Sequence, residues 1–132
     1  VNIEELVTRD IERNNPGITK IEALRSLAKF SAAGSKFFRY GETVFVVYRS
    51  TESAVFFHTV NAEEMKQFLR NLKEFFADLH KAGKQYAITY FSNDKLRSVY
   101  KRYGDEFVGS EDLSMGKYKG ITHLKRWANG LG

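Results

Sequence analysis

The chain has 132 residues, 42% of them hydrophobic, which is enough for one ordinary core, and it contains no cysteine, so disulfides, thiolate nucleophiles and cysteine-based zinc sites are excluded together. Its 21 basic and 16 acidic residues leave a formal charge of +5 and a pI near 9.4, a balance that favours acidic partners such as nucleic acid, phosphorylated cofactors or acidic protein surfaces. With no apolar run near the roughly 18 residues of a membrane span and no signal-peptide pattern, a soluble, cytoplasmic protein is expected. It should form a single domain over residues 1–132, with 1–17 as an N-terminal helix or arm and 125–132 as a tail.

Ile3, Leu6, Val7 and Ile11 recur at helical spacing over residues 2–14, and Asn14-Asn15-Pro16-Gly17 stops that helix. Thr19-Lys20-Ile21-Glu22 fits a capping box for a second helix with Ile21, Leu24, Leu27 and Ala28 on its apolar face, closed by Ala33-Gly34-Ser35. Three strands follow at 36–40, 43–49 and 54–60, joined by short polar turns that favour an antiparallel meander. Asn61-x-x-Glu64 then caps a helix over 62–81, with Val60 stapled onto Met65 and an apolar stripe of Met65, Phe68, Leu69, Leu72, Phe76 and Leu79. Gly83 supplies a left-handed C-cap. A strand at 86–91, a polar corner at Ser92-Asn93-Asp94 and a helix over 94–103 with Leu96, Val99, Tyr100 and Tyr103 on one face come next. Strands at 106–113 and 117–124 flank a Ser114-Met115-Gly116 turn. The long helix links strands 54–60 and 86–91 as a βαβ unit, so these two should be parallel neighbours.

The resulting fold class is α+β: a mixed, mostly antiparallel sheet with one parallel βαβ crossover, order ααβββαβαββ, and helices on both faces. This order resembles the GNAT fold of acetyl-CoA-dependent N-acetyltransferases. Residues 93–104 look like that family's late motif, N-x-x-A-x-x-x-Y-x-x-x-G-F. Asn93, Tyr100 and Gly104 fall in register, whereas Leu96 replaces the small residue and Phe107 arrives two positions late. The resemblance implies a cofactor, acetyl-CoA, lying in a V-shaped opening between strands 54–60 and 86–91. Val60, Asn61 and Ala62 would lie at its pyrophosphate, Asn93 on the pantetheine arm, and Tyr100 would protonate the leaving CoA thiolate. A phenol with a pKa near 10 is a weak acid that can still supply that proton.

Two departures bear on activity. The family's pyrophosphate loop, R/Q-x-x-G-x-G/A, has small residues that let backbone amides approach phosphates at a helix N-terminus. Here the junction reads Val60-Asn61-Ala62-Glu63-Glu64-Met65, without glycine or a basic residue. The family's first strand is reduced to at most a stub around residues 1–4. A long, charged helix without a phosphate loop is similar to divergent GNAT-like proteins of tailed bacteriophages, including small internal virion proteins. Two functions are therefore carried: a non-catalytic protein-binding or virion-assembly component, placed in host cytoplasm or virion, and an active acetyl-CoA-dependent N-acetyltransferase acting on a primary amine.

His58 is the candidate general base, since period-two alternation puts it on one face with Phe56 and Val60. His58, His80 and His123 show no ligand spacing, so no metal site is expected. Arg39-Tyr40-Gly41 followed by Val44-Phe45-Val46-Val47-Tyr48 loosely matches an RNA-recognition strand. The element order does not fit that fold, and nucleic acid is not expected as a partner on this ground.

Overall fold

Strands in this chain form where β-branched and aromatic residues alternate across the pleat, and the hairpin at 36–50 shows the rule at work. In the computed structural model, which describes residues 3–14, 19, 21, 22, 24, 25, 28, 29, 34–102 and 106–128, the elements are α1 (Ile3–Asn14), β1 (Lys36–Tyr40), β2 (Thr43–Ser50), β3 (Ala54–Asn61), α2 (Met65–Lys81), β4 (Tyr86–Phe91), α3 (Asp94–Arg102), β5 (Glu106–Gly109), β6 (Tyr118–His123) and α4 (Leu124–Ala128). The six strands form one mixed sheet in the order β1-β2-β3-β4-β6-β5. β3 runs parallel to β4, with Ala54, Val55 and Phe56 opposite Tyr86, Ala87 and Ile88. The pairs β1–β2, β4–β6 and β5–β6 are antiparallel.

The chain divides into two compact units, Val1–Arg49 with His58–Phe75, and Ser50–Phe57 with Phe76–Gly132. In the first, alternation along β2 sends neighbouring side chains to opposite faces. Val44 and Val46 join Leu6 and Val7 of α1, together with Val60 and Ala62, in one buried cluster. Phe45, on the other face, stacks on Phe75 of α2 with ring centroids 4.3 Å apart and planes 2° from parallel. Phe38 and Tyr40 also pack on Phe75, and Phe68 lies against Phe45. In the second unit Phe76 meets Phe57 and Trp127 edge-on.

Most expected elements are present, and their displaced ends have identifiable causes. The capping box at Thr19 is formed, Glu22 donating its amide to Thr19 Oγ1 (3.2 Å) and accepting the Thr19 amide (3.4 Å). The described residues 21, 22, 24, 25, 28 and 29 are helical. Leu24 packs on the core, but Ile21 and Ala28 are exposed, contrary to the apolar face expected of them. Ile3 and Glu4 belong to α1, as the helix expected over residues 2–14 requires, and form no strand stub. Residues 15–17, Leu27, Ala33, Tyr103 and Gly104 lie outside the described residues. α2 begins at Met65 rather than 62, because Asn61 is still in β3 and its side chain accepts the Glu63 amide in a tight turn. The first helical bond runs from the Phe68 amide to the Glu64 carbonyl, and Met65 is 39% exposed.

α2 ends as its glycine foretells. Gly83 has φ +89°, its amide donates to the His80 carbonyl, and the Lys84 amide reaches the Leu79 carbonyl, the paired bonds of a Schellman motif. β5 stops at Gly109, four residues early, because Ser110, Asp112 and Ser114 turn the chain with their own side chains. The expected tail from 125 instead begins inside α4. Leu124 and Trp127, one helical turn apart, are both buried and hold it down.

Phe75 is fully buried and was not in the expected apolar stripe. Phe75→Ala should lower stability by about 3–5 kcal/mol, read from the shift of the urea midpoint at unchanged slope.

Candidate functional site

The β3–α2 junction is built by polar side chains that satisfy one another. The Asn61 amide donates to Asp10 Oδ1 of α1 at 3.1 Å. Its side-chain oxygen accepts from Thr43 Oγ1 at 2.8 Å and from the Glu63 amide at 3.0 Å, while its Nδ2 donates to the Glu63 carbonyl. The Ala62 amide donates to the Glu42 carbonyl at 3.0 Å. Thr43, fully buried, accepts in turn from Asn71 Nδ2 of α2 at 3.1 Å. Asn71 Nδ2 also lies 3.3 Å from Glu63 Oε2, and Asn71 Oδ1 accepts from Gln67. Glu63 Oε2 further accepts the Glu42 amide at 3.2 Å. The carboxylate sits over Gly41, where a Cβ would come within 2.6 Å of Oε2. Gly41 has φ +58° at the first position of the two-residue β1–β2 turn, which suits a type II′ hairpin.

Val60 and Ala62 are therefore core residues of the first unit, and Asn61 is the hub of its polar network. His58 lies on the same strand and is exposed. Surrounding atoms crowd its ring and lower its pKa, opposed by the Asp10 carboxylate, yet the side chain still meets solvent. A neutral imidazole at pH 7 is the form a base requires.

Asn93 and Tyr100 belong to the second unit. Asn93 is the N-cap of α3: its Oδ1 accepts the Lys95 amide at 2.8 Å and the Leu96 amide at 3.4 Å. Val99 and Tyr100 form the buried side of the helix. The Tyr100 ring stacks on Phe91, centroids 5.3 Å apart and planes 13° from parallel. Beneath it lies Gly120, where a Cβ would fall 2.6 Å from Tyr100 Cζ. The Tyr100 hydroxyl accepts from the fully buried Thr122 Oγ1 at 3.4 Å, and Tyr100 itself is 3% exposed. Nearby, the Tyr90 hydroxyl donates to Glu111 and is the main cause of that carboxyl's lowered pKa.

The structure thus groups His58, Val60, Asn61 and Ala62 in one unit and Asn93 and Tyr100 in the other. Among the residues sequence reasoning passed over, Asn71 was legible: it interrupts the stripe between Phe68, Leu72 and Phe75. Asp10, Thr43 and Gly120 gave no comparable signal. Among the described residues no three His, Cys, Asp or Glu side chains gather to hold a metal ion, and no helix is long and apolar enough to cross a membrane. No protein-family model matches the chain, and no curated protein matches it.

Removing the hub should expose the cost of this network. Asn61→Ala leaves Thr43 Oγ1 and the Glu63 amide without their described acceptor, and thermal unfolding should report a loss of about 1–3 kcal/mol. Tyr100→Phe keeps the ring stack but leaves the fully buried Thr122 hydroxyl without its described acceptor. It too should cost about 1–3 kcal/mol, read by the same melt.

Proposed function

We propose that this chain is a GNAT-like protein that has given up phosphate binding at its β3–α2 junction and acts as a non-catalytic protein-binding or virion-assembly component. One observation carries the reading. The consecutive amides of Asn61, Ala62 and Glu63 already donate to Asp10 Oδ1, the Glu42 carbonyl and Asn61 Oδ1. Backbone amides at this position are what a pyrophosphate would need. A phosphate brought here would have to displace those acceptors and would face the Glu63 and Glu64 carboxylates. At 5 Å each such repulsion is of order 1 kcal/mol in water and about 3 kcal/mol at an effective dielectric near 20.

The GNAT-like part of the reading is supported by the parallel β3–β4 pair, linked through α2, in a sheet whose other described pairings are antiparallel. It is also supported by Asn93 opening α3 two helical turns before Tyr100. That same corner favours the second reading, an active acetyl-CoA-dependent N-acetyltransferase with Tyr100 as acid. Against it, the Tyr100 phenol is buried and engaged by Thr122.

Acetyl-CoA titration separates the two. A cofactor present at 100 times its dissociation constant stabilises the folded state by about 2.7 kcal/mol. The proposal expects no change in melting temperature at millimolar acetyl-CoA and no calorimetric heat. A clear shift that Asn93→Ala abolishes would overturn it in favour of the enzyme.

A further inference from the structure

The face of α3 that turns away from the core is strongly basic. Lys95, Arg97, Lys101 and Arg102 are all exposed on this nine-residue helix, against one acidic residue, Asp94. Helical geometry sorts them into rows. Arg97 and Lys101, four apart, form one; Lys95 and Arg102, seven apart, form the other; Asp94 and Ser98, four apart, lie between them. The first row continues onto the sheet. The Arg97 guanidinium lies 5.2 Å from the Tyr118 ring centroid, and the exposed Lys117 beside it donates its amide to Ser92 Oγ at the β4–α3 corner. The acidic member is partly occupied, since Asp94 Oδ1 accepts from the Tyr118 hydroxyl at 3.4 Å.

This arrangement is not required for folding. Val99 and Tyr100 do the burying, and four cations on so short a helix repel one another. Two classes of anionic partner are conceivable, a nucleic acid and an acidic protein, and the surface discriminates between them. A protein interface draws its affinity from an apolar or aromatic anchor at its centre. Here the strip between the rows carries Ser98 and, one turn before it, Asp94, neither of them apolar, while Val99 and Tyr100 are buried on the opposite side. A phosphate backbone needs no such anchor, because its affinity comes from counterion release by paired cations. No RNA-recognition strand order is needed for contact of that kind.

We infer that the outer face of α3, extended by Lys117 and Tyr118, is a binding surface for the phosphate backbone of nucleic acid, without sequence preference. The inference is independent of whether acetyl-CoA binds. The full chain is titrated into a labelled 20-nucleotide oligothymidylate and followed by fluorescence anisotropy. With the four cations of α3 and Lys117 engaged, affinity should fall about 130-fold between 50 and 200 mM salt. Lys95→Glu/Lys101→Glu/Arg102→Glu should weaken binding at least about tenfold at 50 mM salt, with melting temperature and circular dichroism unchanged. If that variant is destabilised, the corresponding glutamine variant serves, and its salt dependence should drop to about sevenfold. The control Lys66→Glu/Arg70→Glu alters exposed cations at the start of α2 and should leave binding within about twofold of the parent. No binding at 50 mM salt, equal losses in the α3 and α2 variants, or polyglutamate competing better than unlabelled oligonucleotide of the same length would each overturn the inference.

Discussion

The hydrogen bonds of Asn61 are the constraint on which the first unit depends. The backbone amide is held by Asp10 of α1, the side-chain oxygen by Thr43 of β2, and the side-chain nitrogen by the Glu63 carbonyl at the entry to α2. One residue thus positions a helix, a strand and a turn against each other. Thr43 passes the connection to Asn71, and Asn71 to Glu63, whose carboxylate closes on the β1–β2 turn through the Glu42 amide. Buried groups of this kind are worth little individually while every partner is present and cost much more when one is removed. The network accordingly fixes where α2 starts, and it accounts for the three-residue delay after β3.

Apolar packing on either side of that node follows from alternation along β2. Val44 and Val46 are committed to the α1 face and Phe45 to the α2 face, where it stacks on Phe75. In the second unit close approach replaces bulk: Gly120 clears the space into which the Tyr100 ring fits, and the ring stacks on Phe91. Any side chain at 120 would collide with the phenol. Small and large residues are therefore matched at the spot where α3 docks onto β4 and β6.

Chemically, the two regions with functional promise have opposite characters. The β3–α2 junction is acidic and internally satisfied, so it has few resources left for an anionic ligand. The α3 helix is divided: its inner face carries the phenol of Tyr100, closed in by Thr122, Phe91 and Gly120, while its outer face carries four exposed cations. A fold by itself does not establish an activity.

Local chemistry made much of this protein legible in the sequence. Period-two and period-3.6 patterns placed β1, β4 and α3 almost to the residue, and the Thr19–Glu22 box, the Gly83 cap and the parallel β3–β4 pairing followed from rules that act over a few residues or one crossover. Asn93 was readable as a cap for the same reason. Only tertiary structure decided the rest. Whether Asn61 caps a helix or anchors a network depends on Asp10 and Thr43, which are 51 and 18 residues away in sequence. Phe75 becomes central because Phe45 lies opposite, and residues 124–128 form a helix because Trp127 finds Phe76 to pack on. Periodicity records which face of an element is apolar. It carries no record of which distant residue completes a hydrogen bond or fills the space above a glycine, and those long-range partners determine what the candidate site can hold.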